Sequence, residues 1–404
     1  MPTQERDQWI LLAILIAATA LGPMTLNIFI PSMPGLQADF DVVYGTAQLT
    51  LSFYLVGLAG AQLVHGPLSD RYGRRPVMIG GLALHFIGTL ACLAAPTIGL
   101  LIAGRLVQAI GGCVGMVVGR AIVRDRFDRE RTASMLAYIT MAMVVAPMVA
   151  PTIGGFLDNI YGWRASFIFV LLNCLIVLGI IWKWLPETLA VKSTGNAFLS
   201  IPRDFARLLR KWEFCGYSFQ LSFNSIIFLS FLSGAPYVVS EILGLTPGDY
   251  GLYFIPIVAI YMVGNFVSAR VSPKVGIDRM ISLGCVFVVG GAAIGLAMDL
   301  AGVVTVFSLF GPMGIISIGH AFSFPNGMAG AVSVDPKMAG AAAGLSGFLQ
   351  MALGAVASFV VGSMMADSPR PLVIAMFIGA VLATAAHFIG LAKKNSEGAK
   401  SSEK

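Results

Sequence analysis

The chain has 404 residues, of which 57% are hydrophobic and only 11% charged, with a mean hydropathy of +0.84 and a formal net charge of +6. A soluble domain carries about 25% charged residues, so this composition excludes a globular protein with a polar surface and indicates that lipid solvates much of the chain. The five cysteines stand singly within apolar runs, which argues against a disulfide framework or a Cys/His metal site.

A membrane helix needs about 20 mainly apolar residues, and twelve stretches of the sequence qualify. They are 9–30, 46–66, 76–95, 98–121, 133–156, 164–185, 214–238, 250–270, 280–299, 302–326, 339–362 and 370–391. We therefore predict an all-α membrane protein with two pseudo-symmetric six-helix bundles. The bundles are 1–185 and 214–404, the second ending in a short polar tail. The linker 186–213 contains an amphipathic helix.

The basic residues predict the orientation. With both termini in the cytoplasm, all but three of the 26 Lys and Arg residues lie in cytoplasmic loops or at helix ends on that side. Cytoplasmic loops of membrane proteins carry this excess of positive charge. We expect a multi-pass membrane protein with both termini in the cytoplasm. The same distribution accounts for the net charge without a nucleic-acid partner.

A short charged turn, GPLSDRYGRRP, connects the second and third predicted spans. We interpret it as a cytoplasmic gate, because its charges lie at helix ends on the side where two bundles would separate. Asp125, at the end of the fourth span, is the expected ionic partner. The alternative is that the arginines only enforce topology. The gate candidates within the turn are Gly66, Asp70, Arg71, Gly73, Arg74 and Arg75.

The turn fits the pattern G-x-x-x-D-R-x-G-R-R, which resembles the loop signature of the major facilitator superfamily. Residues 105–112 resemble its R-x-x-Q-x-x-G motif, and 150–155 resemble the antiporter motif of its drug exporters, with Ala150 where glycine is usual. Other segments look like its bicyclomycin/chloramphenicol-resistance (Bcr/CflA) branch. The resemblance implies a twelve-helix transporter of the bacterial cytoplasmic (inner) membrane. It places the antiporter motif at Pro147, Pro151, Gly154 and Gly155.

Arg105 is the one Lys or Arg that lies well inside a predicted span rather than at its end. Placing an arginine there costs about 2.5–3.5 kcal/mol on insertion scales, so it is a functional candidate by default. The resemblance implies a part in proton coupling or substrate binding. Gln108 follows one turn later and shares its helix face. The alternative is a structural arginine bound to backbone carbonyls.

Asn27 occupies the position in the first span where the resemblance leads us to expect an aspartate, and no other Asp or Glu lies in the middle of a span. The usual carboxylate proton carrier is therefore missing. His85 and His320 lie well inside their spans and are candidate substitutes, because histidine titrates near neutral pH. The alternative for each is a hydrogen-bonded packing residue.

Further polar and aromatic residues lie in the spans expected to line a central cavity, where they could bind a ligand or bridge helices. They are Tyr54, Tyr138, Asn224, Tyr261, Asn265, Asn326 and Gln350.

The leading hypothesis is a secondary active exporter of small drug-like or amphiphilic compounds, working by alternating access as a proton antiporter and conferring antibiotic resistance. The alternative is a metabolite, siderophore or sugar transporter acting as a symporter or uniporter; a membrane scaffold is a third. No nucleophile–base pattern or nucleotide-binding motif indicates an enzyme. We expect no cofactor, no metal and a monomer in the lipid bilayer, with a small molecule and protons as partners.

Overall fold

The structure, a computed structural model, describes residues 3–127, 129–189, 197–335, 338–366 and 368–402; some side chains within these ranges, mainly in 129–148, are not described. Helices α1 to α7 are Thr3–Ile28, Met33–Phe40, Tyr44–Tyr72, Arg74–Leu93, Ile98–Arg126, Arg129–Tyr161 and Arg164–Trp184. Helices α8 to α14 are Ala197–Leu209, Trp212–Tyr237, Pro247–Val275, Ile277–Leu300, Val306–Ser333, Ala339–Met364 and Arg370–Ser402.

The described residues confirm the predicted all-α class. They contain no strand, and 11 helical segments among them are long and apolar enough to cross a membrane. The first of these, Trp9–Phe40, combines α1 and the short α2. The predicted span 133–156 lies in α6, where many side chains are outside the description, so that span stays a prediction. The chain is thus a multi-pass membrane protein.

The chain divides into two compact units. Unit 1 comprises Met1–Phe198 together with Thr246–Gly251, and unit 2 comprises Leu199–Leu245 together with Leu252–Lys404. In unit 1, α5 packs against α1, α3 and α4, while α1 also contacts α6 and α7. In unit 2, α9 packs against α12, α13 and α14, and α11 packs against α12 and α14.

Glycines allow the helices of unit 1 to approach closely. Lipid is as apolar as leucine, so helices in a membrane associate through close packing rather than through a hydrophobic drive. A Cβ atom on Gly115 of α5 would overlap the carbonyl oxygen of Ala18 in α1. A Cβ atom on Gly111 would overlap the backbone of His85 in α4. These two glycines therefore fix α5 against its neighbours, and its buried face carries the polar residues described below.

Unit 2 has a similar glycine contact between helices, and both units contain a one-residue glycine turn. Gly216 of α9 and Gly390 of α14 meet directly, since a Cβ on Gly216 would lie 2.7 Å from the Cα of Gly390. Gly276, at φ +87°, connects α10 to α11 in one residue, as Gly73 at φ +111° connects α3 to α4. Leu208 of α8 is fully buried in the apolar core of the unit beside Phe214.

Gly115→Ala should lower the melting temperature of the purified protein, because its new methyl group overlaps a backbone carbonyl. The matched control is Gly80→Ala in α4, where nothing lies within 4 Å of an added Cβ. Alanine is favoured over glycine in a helix interior by about 1 kcal/mol, so the control should be neutral or stabilising. Thermal unfolding in detergent measures both variants, and equal melting temperatures would contradict the packing role.

Candidate functional site

Arg74, the first residue of α4, is the centre of an ionic cluster in unit 1. It is only 5% exposed. Its Nε donates to Asp125 Oδ2 at 2.8 Å. Its Nη1 donates to Ser69 Oγ at 2.7 Å and to Asp70 Oδ1. One guanidinium thus bridges two carboxylates, Asp70 of α3 and Asp125 of α5. Asp125 is the partner expected for the charged turn. We call Ser69, Asp70, Arg74, Asp125 and Glu187 the Arg74 cluster.

Glu187, which follows α7, is a member that we did not predict. Its carboxylate accepts from the backbone N–H groups of Arg74 at 3.0 Å and Arg75 at 3.3 Å. These are unpaired donors at the start of α4, where the helix dipole also favours a negative charge. A Cβ on Gly73 would overlap the same carboxylate, so this position needs glycine for space as well as for its positive φ. An acidic residue directly after a span was the available sequence signal.

Electrostatics keep Glu187 ionised. Burial raises the pKa of its carboxyl, but backbone N–H groups of Leu189, Arg74, Thr188 and Arg75 lower it by more, so the pKa lies below its ordinary value. The carboxylate therefore caps α4 throughout the neutral range.

The other gate candidates lie around the Arg74 cluster rather than in it. Arg75 donates from Nη2 to the carbonyl oxygen of Trp182 at 2.7 Å. Arg71 is exposed, with its guanidinium carbon 5.5 Å from the ring centre of Tyr72. The carbonyl oxygen of Gly66 accepts from Ser69 Oγ at 2.8 Å, which positions a hydroxyl that Arg74 contacts.

Arg105, on α5, lies fully buried in unit 1 with an exposure of 0%. Its Nη1 donates to Gln108 Oε1 at 2.7 Å and to the carbonyl oxygen of Thr25 at 3.3 Å. Its guanidinium carbon lies 4.1 Å from the ring centre of Tyr54 and 5.0 Å from that of Phe29. Cation–π contact of this kind stabilises a desolvated guanidinium.

Hydrogen bonds extend from Arg105 into α4. Gln108 Nε2 donates to Thr89 Oγ1 at 2.8 Å, and that hydroxyl donates to the carbonyl oxygen of His85 at 2.7 Å. His85 Nδ1 lies 2.7 Å from the carbonyl oxygen of Gln108 and, because a carbonyl only accepts, must carry the proton. His85 Nε2 lies 3.4 Å from Thr25 Oγ1. We call Thr25, Tyr54, His85, Thr89, Arg105 and Gln108 the Arg105 cluster.

The Arg105 cluster joins four predicted candidates and contains no carboxylate among the described residues. Tyr54, His85, Arg105 and Gln108 come together, as the sequence suggested for Arg105 and Gln108 alone. Thr25 and Thr89 were not predicted, because threonine is common in membrane helices and its sequence position does not show which neighbour it faces. The site combines one fixed positive charge with neutral donors and acceptors.

Asn27 is buried, at 2% exposure, and its Nδ2 donates to the carbonyl oxygen of Pro23 at 2.7 Å. Its Oδ1 has no donor among the described residues. Asn27 is not one of the hydrogen-bond partners of Arg105; the residues of that helix segment that contact Arg105 are Thr25 and Phe29. The position therefore contributes a neutral amide rather than a countercharge.

In unit 2 the predicted residues fall on several helices without forming one hydrogen-bonded cluster in the described part. Asn326 donates to Ser268 Oγ at 3.1 Å. Gln350 donates to the carbonyl oxygen of Ser346, and Asn265 to that of Tyr261. His320 is 3% exposed and its Nε2 has no partner among the described residues, as is also true of Asn224 Oδ1 and both amide atoms of Gln220. Tyr138, in unit 1, is 38% exposed and meets Trp9 edge-on.

The predicted antiporter motif in α6 is packed against backbone. A Cβ on Gly154 would overlap the carbonyl oxygen of Ile28, and one on Gly155 would overlap that of Pro247, a residue of unit 1. Thr152 Oγ1 donates to the carbonyl oxygen of Gly251 at 3.0 Å. Pro147 and Pro151 lie inside the helix, where each removes a backbone donor.

Glu187→Gln should lower the melting temperature at pH 7, because the helix cap loses its charge. A carboxylate at an exposed helix start contributes about 0.3–1 kcal/mol. Since the folded pKa is below the ordinary value of 4.5, this stability is present above about pH 4.5 and is lost as the pH falls through the folded pKa. The difference from wild type should therefore shrink in acid.

The matched control is Glu241→Gln, the same substitution at another exposed carboxylate. Thermal unfolding between pH 7 and about pH 3 measures both. A difference between Glu187→Gln and wild type that does not change with pH would contradict the cap.

Comparison with known proteins shows the family of this chain. A bicyclomycin resistance protein homolog of Haemophilus influenzae is 28% identical over 392 residues, 95% of this chain and 97% of that protein. Multidrug resistance protein D of Escherichia coli is 29% identical over 363 residues, 89% of each chain. The crystal structure of a D-xylose–proton symporter shares the fold at 14% identity, with a TM-score of 0.73 over 95% of this chain and 97% of that one.

These relatives agree with the predicted resemblance to the bicyclomycin-resistance branch. The model of the family described as the Major Facilitator Superfamily matches residues 15–359. The chain therefore belongs to the major facilitator superfamily of membrane transporters.

Proposed function

We propose that this protein exports small drug-like or amphiphilic compounds from the cytoplasm by alternating access, in antiport with protons. The observation that carries the proposal is the Arg74 cluster. Its ion pairs join the ends of α3, α4 and α5, and Glu187 adds backbone hydrogen bonds from the chain after α7. Such contacts can break and re-form while the helices stay intact. The names of the two relatives, which concern bicyclomycin and multidrug resistance, support a drug-like substrate.

The proposal includes the predicted topology. Both termini lie in the cytoplasm of a bacterial cell, the inner membrane surrounds the two bundles 1–185 and 214–404, and residues 186–213 link them. The arginines of the charged turn, Arg71, Arg74 and Arg75, then lie on the side where cytoplasmic loops are expected to be basic. The protein works as a monomer with no cofactor and no catalytic activity.

The close backbone contacts of Gly154 and Gly155 suit a tight seam that blocks leakage of protons. Small residues allow the approach, and the two prolines free carbonyl groups without adding charge. Val substitution at Gly154 would force α6 away from Ile28.

A second candidate is a metabolite, siderophore or sugar transporter acting as a symporter or uniporter. Asn27 favours it, because an amide cannot exchange a proton where a carboxylate could. In proteoliposomes, outward proton movement coupled to inward substrate movement would distinguish antiport from symport, and transport independent of the proton gradient would indicate a uniporter.

The export proposal is tested in a bacterial strain without its own drug pumps. Expression of the protein should lower the accumulation of at least one antibiotic or amphiphilic dye, and a proton uncoupler should restore it. If no compound of a broad panel accumulates less, the export proposal fails.

Arg74→Ala, Asp70→Asn and Asp125→Asn should each reduce export at least tenfold at wild-type membrane abundance. Removing one partner leaves charges of the cluster unpaired at a buried site, which costs about 3–5 kcal/mol when burial is complete. Arg71→Ala is the matched control, since Arg71 is an exposed arginine of the same turn outside the ion pairs. Wild-type export by Arg74→Ala, or equal loss in Arg71→Ala, would contradict the gate.

A further inference from the structure

Two nitrogen donors of Arg105, Nε and Nη2, lack a partner among the described residues, and together they form one edge of the guanidinium group. Nη1 is held by Gln108 and by the carbonyl oxygen of Thr25. Neither Nε nor Nη2 has an acceptor among the described residues. The N–H of Nε and one N–H of Nη2 point in the same direction, and this edge is the fork that binds both oxygens of a carboxylate. The protein thus fixes one end of Arg105 and leaves its carboxylate-binding edge unpaired.

Two other arginines of the described chain, Arg74 and Arg370, are paired with carboxylates. Arg74 donates from Nε to Asp125 and from Nη1 to Asp70. Arg370 donates from Nε to Asp299, whose side chain is 4% exposed. Arg105 is more deeply buried than either, yet none of the described carboxylates contacts it. The unpaired fork is therefore a local property of this site.

An uncompensated guanidinium disfavours some ligands and favours others. Burying a charge without a partner is costly, and an arriving oxyanion would neutralise the charge and satisfy two donors together. An organic cation would be repelled by Arg105 and would find no Asp or Glu in the middle of any predicted span. A neutral amide could fill only one position of the fork as an acceptor.

The walls around the fork are aromatic. The rings of Tyr54, Phe29 and Phe167 have their centres 4.1, 5.0 and 5.9 Å from the guanidinium carbon. The rings of Phe29 and Phe167 are themselves 5.0 Å apart. Aromatic side chains favour an aromatic ligand through stacking and edge-to-face contacts. The site therefore fits a carboxylate attached to an aromatic or similarly apolar body.

We propose that Arg105 recognises a carboxylate on the transported molecule, and that the protein prefers aromatic carboxylates to neutral and cationic compounds of the same shape. This inference rests on the proposed export function and names its substrate class. Because Arg105 is fully buried, the ligand reaches the fork through the helix rearrangements of alternating access. Gln108 and Thr25 hold the guanidinium in place for it.

The test uses three probes of one shape: 2-naphthoate, 2-naphthamide and 2-naphthamidine, which are anionic, neutral and cationic. Their binding to the purified full-length protein in lipid nanodiscs is measured by calorimetry. 2-Naphthoate should bind at least tenfold more tightly than the amide, and the amidine most weakly. Only the carboxylate offers two acceptor oxygens to the fork together with a charge that neutralises the guanidinium.

Two substitutions at Arg105 separate charge from geometry. Arg105→Lys keeps the charge but loses the planar fork, and should weaken 2-naphthoate binding about tenfold or more. Arg105→Gln should abolish the preference for the carboxylate over the amide. Arg164→Gln is the matched control, because Arg164 also stacks on an aromatic ring at 4.1 Å but is exposed and outside the cluster; its affinity should equal that of wild type. Where Arg105→Gln does not fold, Arg105→Lys decides.

Equal affinity for the three probes, no binding of 2-naphthoate, or unchanged binding in Arg105→Lys would overturn the inference. Accumulation of the same probes in the pump-deficient strain separates this from the export proposal. Arg105-dependent binding without export would refute export and leave carboxylate recognition standing. Export of the amide or amidine with no binding of 2-naphthoate would refute carboxylate recognition and leave the export proposal standing.

Discussion

The structure depends on one constraint: a guanidinium group buried among apolar helices without a carboxylate beside it. Arg105 is stabilised by what surrounds it, namely the ring of Tyr54, the amide of Gln108 and a helix carbonyl. Each of these must be held in position, and the glycines of α5 do so by bringing α1 and α4 into backbone contact with it. These contacts stabilise the charge of Arg105 without an acid to neutralise it, and the packing of unit 1 holds the contacts in place.

The two clusters of unit 1 treat arginine in opposite ways. At Arg74 the positive charge is divided between two carboxylates, and a third, Glu187, caps the same helix start. Asp70 is 45% exposed, so its pairing can exchange with water at modest cost. Arg105 is fully buried, and no acid contacts it among the described residues. In the proposed mechanism the first arrangement suits a contact that opens and closes, and the second suits a site whose charge is completed by the transported molecule.

Much of the fold and part of the candidate site could be predicted from the sequence. Long apolar runs predicted the helices, and charged residues at helix ends predicted the Arg74–Asp125 contact, because that pattern is rare in a chain with so few charges. We did not predict Glu187, because it lies 113 positions from Arg74 and bonds to its backbone rather than its side chain. The sequence also did not show that Thr25 contacts Arg105 or that Thr89 and His85 contact Gln108. Those contacts depend on which helix faces the glycines bring together. Tyr138 is 38% exposed and meets Trp9 edge-on, a placement that an apolar span alone does not reveal.

Thermal stability tests the central claim most directly, namely that Arg105 is kept for function at the expense of stability. Replacing a buried polar pair by apolar groups of similar size is often neutral or stabilising. The Arg105→Met/Gln108→Met double variant removes the charge without leaving the Gln108 amide oxygen unpaired, and its unfolding in detergent is compared with that of wild type. A melting temperature equal to or above wild type, with transport lost, is the predicted result. A melting temperature well below wild type would show that Arg105 is a structural residue and would contradict the account.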